Sequence, residues 1–121
     1  MSPTNPKQPL RGEVWIVNFD PTVGAEIKKK RPAVVISSDA VGILPVKLVA
    51  PITEWDHRFA RNSWHIRVDP TSQNGLTKSS AVDALQIRSM DTQRFVAHVG
   101  RVPPDLLDEI TAAIAAIIEH A

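Results

Sequence analysis

Six short runs of strand-type residues follow one another between residues 13 and 99, and that succession restricts the chain to folds that pack many brief strands around a small core. Residues 13–19 alternate in polarity and are rich in Val, Trp and Ile; residues 63–68 alternate as well. Residues 33–37 and 46–53 are apolar runs of the buried type, and residues 80–88 and 95–99 complete the series. Strands this short and this closely spaced predict a mainly β domain, a barrel or a sandwich. After Pro103-Pro104 the pattern changes: Leu106, Leu107, Ile110, Ile114, Ile117 and Ile118 recur at intervals of three and four among alanines. This predicts one C-terminal amphipathic helix that lays its apolar face on the sheet and closes the barrel, with Asp105, Asp108 and Glu109 in the first turn, where the helix dipole favours acids.

A chain of 121 residues with 43% hydrophobic side chains fits one domain with a small core, one that gains from an oligomeric partner. Residues 1–10 hold three prolines and few apolar side chains, so they are expected to form a flexible N-terminal arm ahead of a domain at residues 11–121. No cysteine is present, which rules out disulfides and thiolate metal sites and suits a reducing cytoplasm. No apolar run approaches a membrane span, and the first ten residues lack a signal-peptide core; a cytoplasmic protein is expected. The net charge of +1 is unevenly divided. Asp105, Asp108, Glu109 and Glu119 fall in residues 103–121, which have no Lys or Arg, so the remainder carries 14 basic against 9 acidic side chains. That asymmetry favours an anionic partner on the body of the domain.

The charge is most concentrated between two strands. A polar loop holding Gly24 and Glu26 leads into Lys28, Lys29, Lys30 and Arg31, and Pro32 opens the next strand. Four consecutive cations repel one another unless an anion faces them, and phosphate is the natural candidate. Arg31 offers a planar fork of donors that stays charged; its plainer reading is a surface arginine paired with Glu26. The four histidines, His57, His65, His98 and His120, show no H-x-x-x-H pair, and no D-x-D cluster is present, so no metal site is expected. His57 and His65 flank a loop with Arg58 and Arg61, an acid-base pair in one reading and ordinary loop and strand residues in the other.

The ordered set Arg11-Gly12-Glu13-Val14-Trp15, Phe19-Asp20-Pro21, Gly24-Ala25-Glu26 and Arg31-Pro32-Ala33-Val34-Val35 resembles the MazF/PemK family of toxin endoribonucleases. Val49-Ala50-Pro51-Ile52-Thr53 and Gln86-Ile87-Arg88-Ser89-Met90-Asp91 extend the resemblance toward the C-terminal helix. The resemblance implies a small SH3-like (CcdB/PemK-like) β-barrel closed by the helix and acting as a homodimer. It implies metal-independent cleavage of single-stranded RNA, especially mRNA, at a short sequence, by attack of the 2′-hydroxyl on the adjacent phosphate, so that translation is inhibited. No cofactor is implied. The two principal catalytic positions of the family match Arg31 and Thr53. On chemistry alone the Thr53 hydroxyl can donate to a phosphate oxygen, although threonine is also a good strand former. Glu26 is a candidate for orienting Arg31 or for acting as base, and Gly24 permits an unusual backbone angle beside it. Lys28, Lys29, Lys30, Gln86, Arg88 and Phe19 are candidates for holding RNA. Gln86 and Arg88 alternate on one expected strand face. Trp15 and Phe19 are equally suited to the core, and Trp55, between Glu54 and Asp56, is expected to be exposed.

The chain departs from some members, which carry an Arg and an Asp in the segment where it has Asp83 and Leu85, and a histidine where it has Ala25. These departures weaken an Arg-Asp-His mechanism and leave Arg31 with Thr53. The resemblance also implies a cognate antitoxin whose acidic, disordered tail fills the RNA groove. Two rivals stand beside this reading. A gyrase poison of the CcdB type relies on a Trp-Gly-Ile type C-terminus, whereas this chain ends Glu119-His120-Ala121. An RNA-binding barrel without catalysis would leave RNA intact.

Overall fold

The computed structural model describes residues 8–41 and 44–120. Seven antiparallel strands run in chain order: β1 (Glu13–Asn18), β2 (Lys30–Val35), β3 (Val46–Glu54), β4 (His65–Val68), β5 (Ser80–Asp83), β6 (Arg88–Asp91) and β7 (Phe95–Arg101), followed by α1 (Pro104–Ile117). Their order is β4-β5-β3-β2-β1-β7, with β6 on β3 as well. The long β3 bends the whole sheet because its successive parts serve different partners. Val46 to Val49 face β6, Val49 to Pro51 face β2, and Ile52 to Glu54 face β5. The sheet curls into the expected barrel-like form without closing, since β4 and β7 do not pair with each other.

Both faces of the sheet are covered, which is why several strands read as continuous apolar runs. On β2 and β3 the alternation is strict. Val34, Ala50 and Ile52 belong to one core cluster with Val14, Val82 and Ile110, whereas Ala33, Val35 and Val49 belong to a second with Val17, Phe19, Met90 and Phe95. The helix seals the first cluster through Leu106, Leu107, Ile110 and Ile114. Pro104 at its first turn needs no hydrogen-bond partner there, and Asp105 is the acid of that turn. Ile118, read as part of the apolar face, caps the helix and is exposed.

Three expectations change. Residues 80–88 form two strands and not one: the Asp83 carboxylate accepts from the N–H groups of Leu85 (3.0 Å) and Gln86 (3.2 Å), which winds Ala84–Gln86 into a short 3₁₀ turn. Strand β2 begins at Lys30, so Arg31 sits inside a strand, paired with Val17 of β1. Of the expected flexible arm, residues 1–7 lie outside the described residues; Pro9 is buried, and the Leu10 N–H donates to Glu13 Oε1 at 2.6 Å.

Candidate active site

The site begins where β2 and β3 part. Their ladder runs from Val35↔Val49 to Ala33↔Pro51 and stops, while β3 continues on β5 with Thr53↔Ala81. Pro32 and Pro51 each withhold a backbone donor at this point, which ends the pairing and lets the strands splay. Continuing the same register by two residues sets Arg31 opposite Thr53. Arg31, Pro32, Ile52, Thr53 and Glu54 all line the resulting cleft, of about 270 Å³, with Leu76 and Lys78 on its far side.

The groups in this cleft are poised to donate. Arg31 Nε donates to the Lys28 carbonyl at 3.1 Å, which steers the guanidinium while its terminal nitrogens have no acceptor among the described residues. The Thr53 hydroxyl likewise has no partner among them. The terminal guanidinium nitrogens of Arg31 and the Thr53 hydroxyl thus line one cleft without acceptors among the described residues, a donor set that suits anionic oxygens. The pairing of Arg31 with Glu26 is not found. The Glu26 carboxylate instead accepts from the Val23 N–H at 2.7 Å, closing a tight turn in which Gly24 has φ +58°.

The basic run is held by its backbone. The Phe19 N–H donates to the Lys29 carbonyl at 2.9 Å, and the Lys29 N–H donates to Asp20 Oδ1 at 3.0 Å. Lys29 adopts φ +72°, a left-handed conformation uncommon for a side chain of its length. Lys28, Lys29 and Lys30 are exposed, with no ion pair among the described residues.

The other candidates gather in a neighbouring cleft of about 440 Å³, lined by Phe19, Glu26, Pro51, Gln86 and Arg88 among others. Gln86 is in the 3₁₀ turn and not on a strand with Arg88. Its Oε1 accepts from the Ile27 N–H at 2.6 Å and its Nε2 donates to the Ala25 carbonyl at 3.1 Å, latching the β1–β2 loop from 59 and 61 residues away. Phe19 is fully buried in the second core cluster and cannot stack on a base, which corrects its place among the RNA-holding residues. The small barrel needs its large side chains inside. Arg88 lies over the edge of this cleft, its guanidinium 5.9 Å from the Phe19 ring.

The histidine pair does not assemble. His65 is stacked on Phe59 (3.9 Å, 7°), with Nε2 3.4 Å from Asp83 Oδ2 and Nδ1 3.2 Å from the Asn62 amide, a structural setting. His57 points into solvent beside Asp56. A hydrogen bond from the Arg58 side chain, and then one from its backbone, holds Asp56 down at about 2. Among the described residues no three His, Asp or Glu side chains gather as metal ligands.

Sequence reasoning missed one cluster. Trp55 is half-buried, and the Arg67 guanidinium lies 5.0 Å from its ring. Arg67 Nε donates to Asp69 Oδ1 at 3.3 Å, and Ser79 Oγ donates to the same oxygen at 2.8 Å. The Ser79 bond first and Arg67 second hold Asp69 below the ordinary carboxylate range. The alternation of residues 63–68 places Arg67 on a strand, but only the cross-strand register reveals what it lies beside.

The site thus sits on a curled antiparallel sheet sealed by one terminal helix, with Arg31 and Thr53 lining a cleft where two strands part. Residues 10–118 match the family described as PemK-like, MazF-like toxin of type II toxin-antitoxin system, and the chain belongs to that family of toxin endoribonucleases. It is 32% identical over 111 residues to endoribonuclease MazF9 of Mycobacterium tuberculosis, covering 86% of this chain and 91% of that one. Its fold superposes on the crystal structure of MazF from Deinococcus radiodurans with a TM-score of 0.77 at 25% identity, covering 92% of this chain and 96% of the other. A mycobacterial endoribonuclease solved in complex with its cognate antitoxin shares the fold, with a TM-score of 0.73, 18% identity and coverage of 94% and 98%.

Proposed function

We propose that this toxin cleaves single-stranded RNA, mRNA above all, at the cleft between β2 and β3. The observation that carries the reading is the placing of Arg31 and Thr53 face to face across a strand gap, each with donors left unpartnered. The 2′-hydroxyl oxygen bonds to phosphorus, the 5′-oxygen departs, and the products are a cyclic phosphate and a 5′-hydroxyl. Negative charge grows on the non-bridging oxygens in the transition state. Arg31 and Thr53 meet that charge with donors already positioned by strands, so little reorganisation is needed as the reaction proceeds. Lys28, Lys29 and Lys30 draw the backbone in, and Arg88 supports the strand from the adjoining cleft. Glu26 and Gln86 act on the loop: the first closes its turn, and the second ties it to the 3₁₀ turn. The step is metal-independent in this scheme, since the cleft offers an arginine and a hydroxyl and no ligand cluster.

The functional unit is a homodimer in this reading, because a domain this small gains core and groove from a second copy. The restraining partner is an antitoxin with an acidic, disordered tail, which the basic body attracts, and the place of action is the cytoplasm, where mRNA is found. The test is a gel of the purified protein with a long single-stranded transcript in EDTA. Discrete cleavage that EDTA leaves unchanged is the expected result. Intact RNA that nevertheless binds returns the chain to a non-catalytic barrel. Activity abolished by EDTA and restored by a divalent ion overturns the metal-independent step.

A further inference from the structure

The row of side chains that carries Arg31 and Thr53 does not end at Thr53. Thr53 pairs with Ala81 across β3 and β5, and Ala81 pairs with Arg67 across β5 and β4. Directly paired residues project from the same face of a sheet, so Thr53, Ala81 and Arg67 stand in one line. Strand spacing puts the Arg67 backbone ~10 Å from that of Thr53. Ala81 between them is fully buried beneath its neighbours.

Arg67 is unusually well held for an exposed arginine. Trp55 supports its guanidinium from one side at 5.0 Å, Asp69 fixes Nε, and Ser79 fixes Asp69. The Trp55 N–H closes the circuit by donating to the Ser79 carbonyl at 3.0 Å. The Arg67 side chain remains 53% exposed, so it is open to a ligand on the side that Trp55 does not cover. Pairing with Asp69 offsets its charge and makes it a poor phosphate clamp, but leaves a flat, ordered surface. Unpaired RNA bases stack on arginine planes of this kind.

We propose that Arg67, seated on Trp55, is the stacking platform for an unpaired RNA base beside the bond cut at Arg31 and Thr53, and so helps choose the sequence cleaved. The inference rests on the ribonuclease reading above. Its test maps every cut that the wild type and Arg67→Ala make in one long single-stranded transcript. It then measures kcat and KM over a salt series on a short RNA spanning a mapped wild-type cut. Arg67→Ala is expected to raise KM by about ten- to a hundredfold with kcat within about twofold. The salt dependence should stay the same, and the preference at one base flanking the cut should be lost. Arg67→Lys should resemble Arg67→Ala, since lysine keeps the charge and loses the plane. An unchanged cut map and KM in Arg67→Ala overturn the proposal. So does rescue by Arg67→Lys together with a salt slope reduced by about one in Arg67→Ala, the sign of a phosphate contact. If the wild type leaves RNA intact, the ribonuclease reading fails separately. Binding of the same transcript then decides: weaker binding by Arg67→Ala sustains the platform, and equal or absent binding overturns it.

Discussion

Gly100 of β7 is a position where a single methyl group should do serious harm without any strain in the backbone angle. A Cβ there would lie 2.3 Å from the Gln73 carbonyl oxygen, 2.5 Å from the Asn74 carbonyl carbon and 2.7 Å from its oxygen, all of them backbone. The loop cannot step aside easily. The Arg101 N–H donates to the Gln73 carbonyl at 2.9 Å. The buried Asn74 side chain accepts from Thr71 and Leu76 N–H, each at 3.0 Å, and donates to the Asp69 carbonyl at 2.9 Å. Ordinary contact requires a retreat of ~1 Å, an overpacking that costs about 1–3 kcal/mol. Loss of the Arg101–Gln73 hydrogen bond adds about 0.5–1.5 kcal/mol, so Gly100→Ala should destabilise by roughly 2–4 kcal/mol. For a domain of this size that lowers Tm by roughly 6–20 °C. Because Gly75, Leu76, Thr77 and Lys78 of the same loop line the Arg31–Thr53 cleft, RNA cleavage should fall in parallel. Gly24→Ala is the control: Gly24 has φ +58° but nothing within 4 Å of the new methyl, so only the backbone cost of about 1 kcal/mol applies. Scanning calorimetry of both variants checks the argument. A Gly100→Ala melting point within about 3 °C of the wild type, or a larger loss in Gly24→Ala, refutes the reasoning.

Thr53→Ala should lower turnover about a hundredfold, the effect of removing one transition-state donor, with the melting temperature nearly unchanged; normal cleavage by a less stable protein would instead mark Thr53 as a strand former. Arg31→Lys, which keeps the charge and loses the fork, should cost roughly two to three orders of magnitude in cleavage and much less in RNA affinity, as read by single-turnover kinetics beside binding assays. Gln86→Ala removes both bonds that latch the β1–β2 loop, so amide exchange at Ile27 should accelerate about two- to tenfold, roughly the loss of one net hydrogen bond; unchanged protection would show that the loop holds itself. Carbon-detected NMR should place the Asp56 titration at about 2, and Arg58→Gln should move it up toward 3.8. Since folding depresses this pKa, its contribution is complete above the ordinary carboxylate range and fades as pH falls through about 2, so the wild type and Asp56→Asn should converge in melting temperature there.

Local signals carried the fold. Apolar runs of five to eight residues, cut by proline and polar loops, marked six strand positions, and the spacing of Leu106, Leu107, Ile110 and Ile114 marked the helix, because both patterns record which side chains must be buried. The pattern failed at residues 80–88. There Asp83, Ala84 and Gln86 read as strand, and the decisive event is a side-chain carboxylate capping two N–H groups, a contact that leaves no mark on hydrophobic periodicity. The same blindness put Lys30 and Arg31 in a loop. Their charge argues against a strand, yet β1 supplies a ladder on which Asn18 and Val17 pair with them.

The candidate pair was named from residue chemistry together with the family resemblance. A fork and a hydroxyl that suit phosphate, Arg31 and Thr53, were named from their types and from the family resemblance, and the structure sets them across one gap. How β3 divides itself among three partners sets the register of the strands that carry these residues, and no local property of the residues encodes it. Register is also what brings Arg67 into the same row, two strands from Thr53 and 14 residues along the chain. Within such a row the strands fix spacing while side chains remain free to vary. In the reading proposed above, a chain of this fold keeps its phosphate pair at the splay of β2 and β3 and alters the sequence it recognises through whatever side chain stands two strands away. Here that is an arginine whose guanidinium lies over a tryptophan ring.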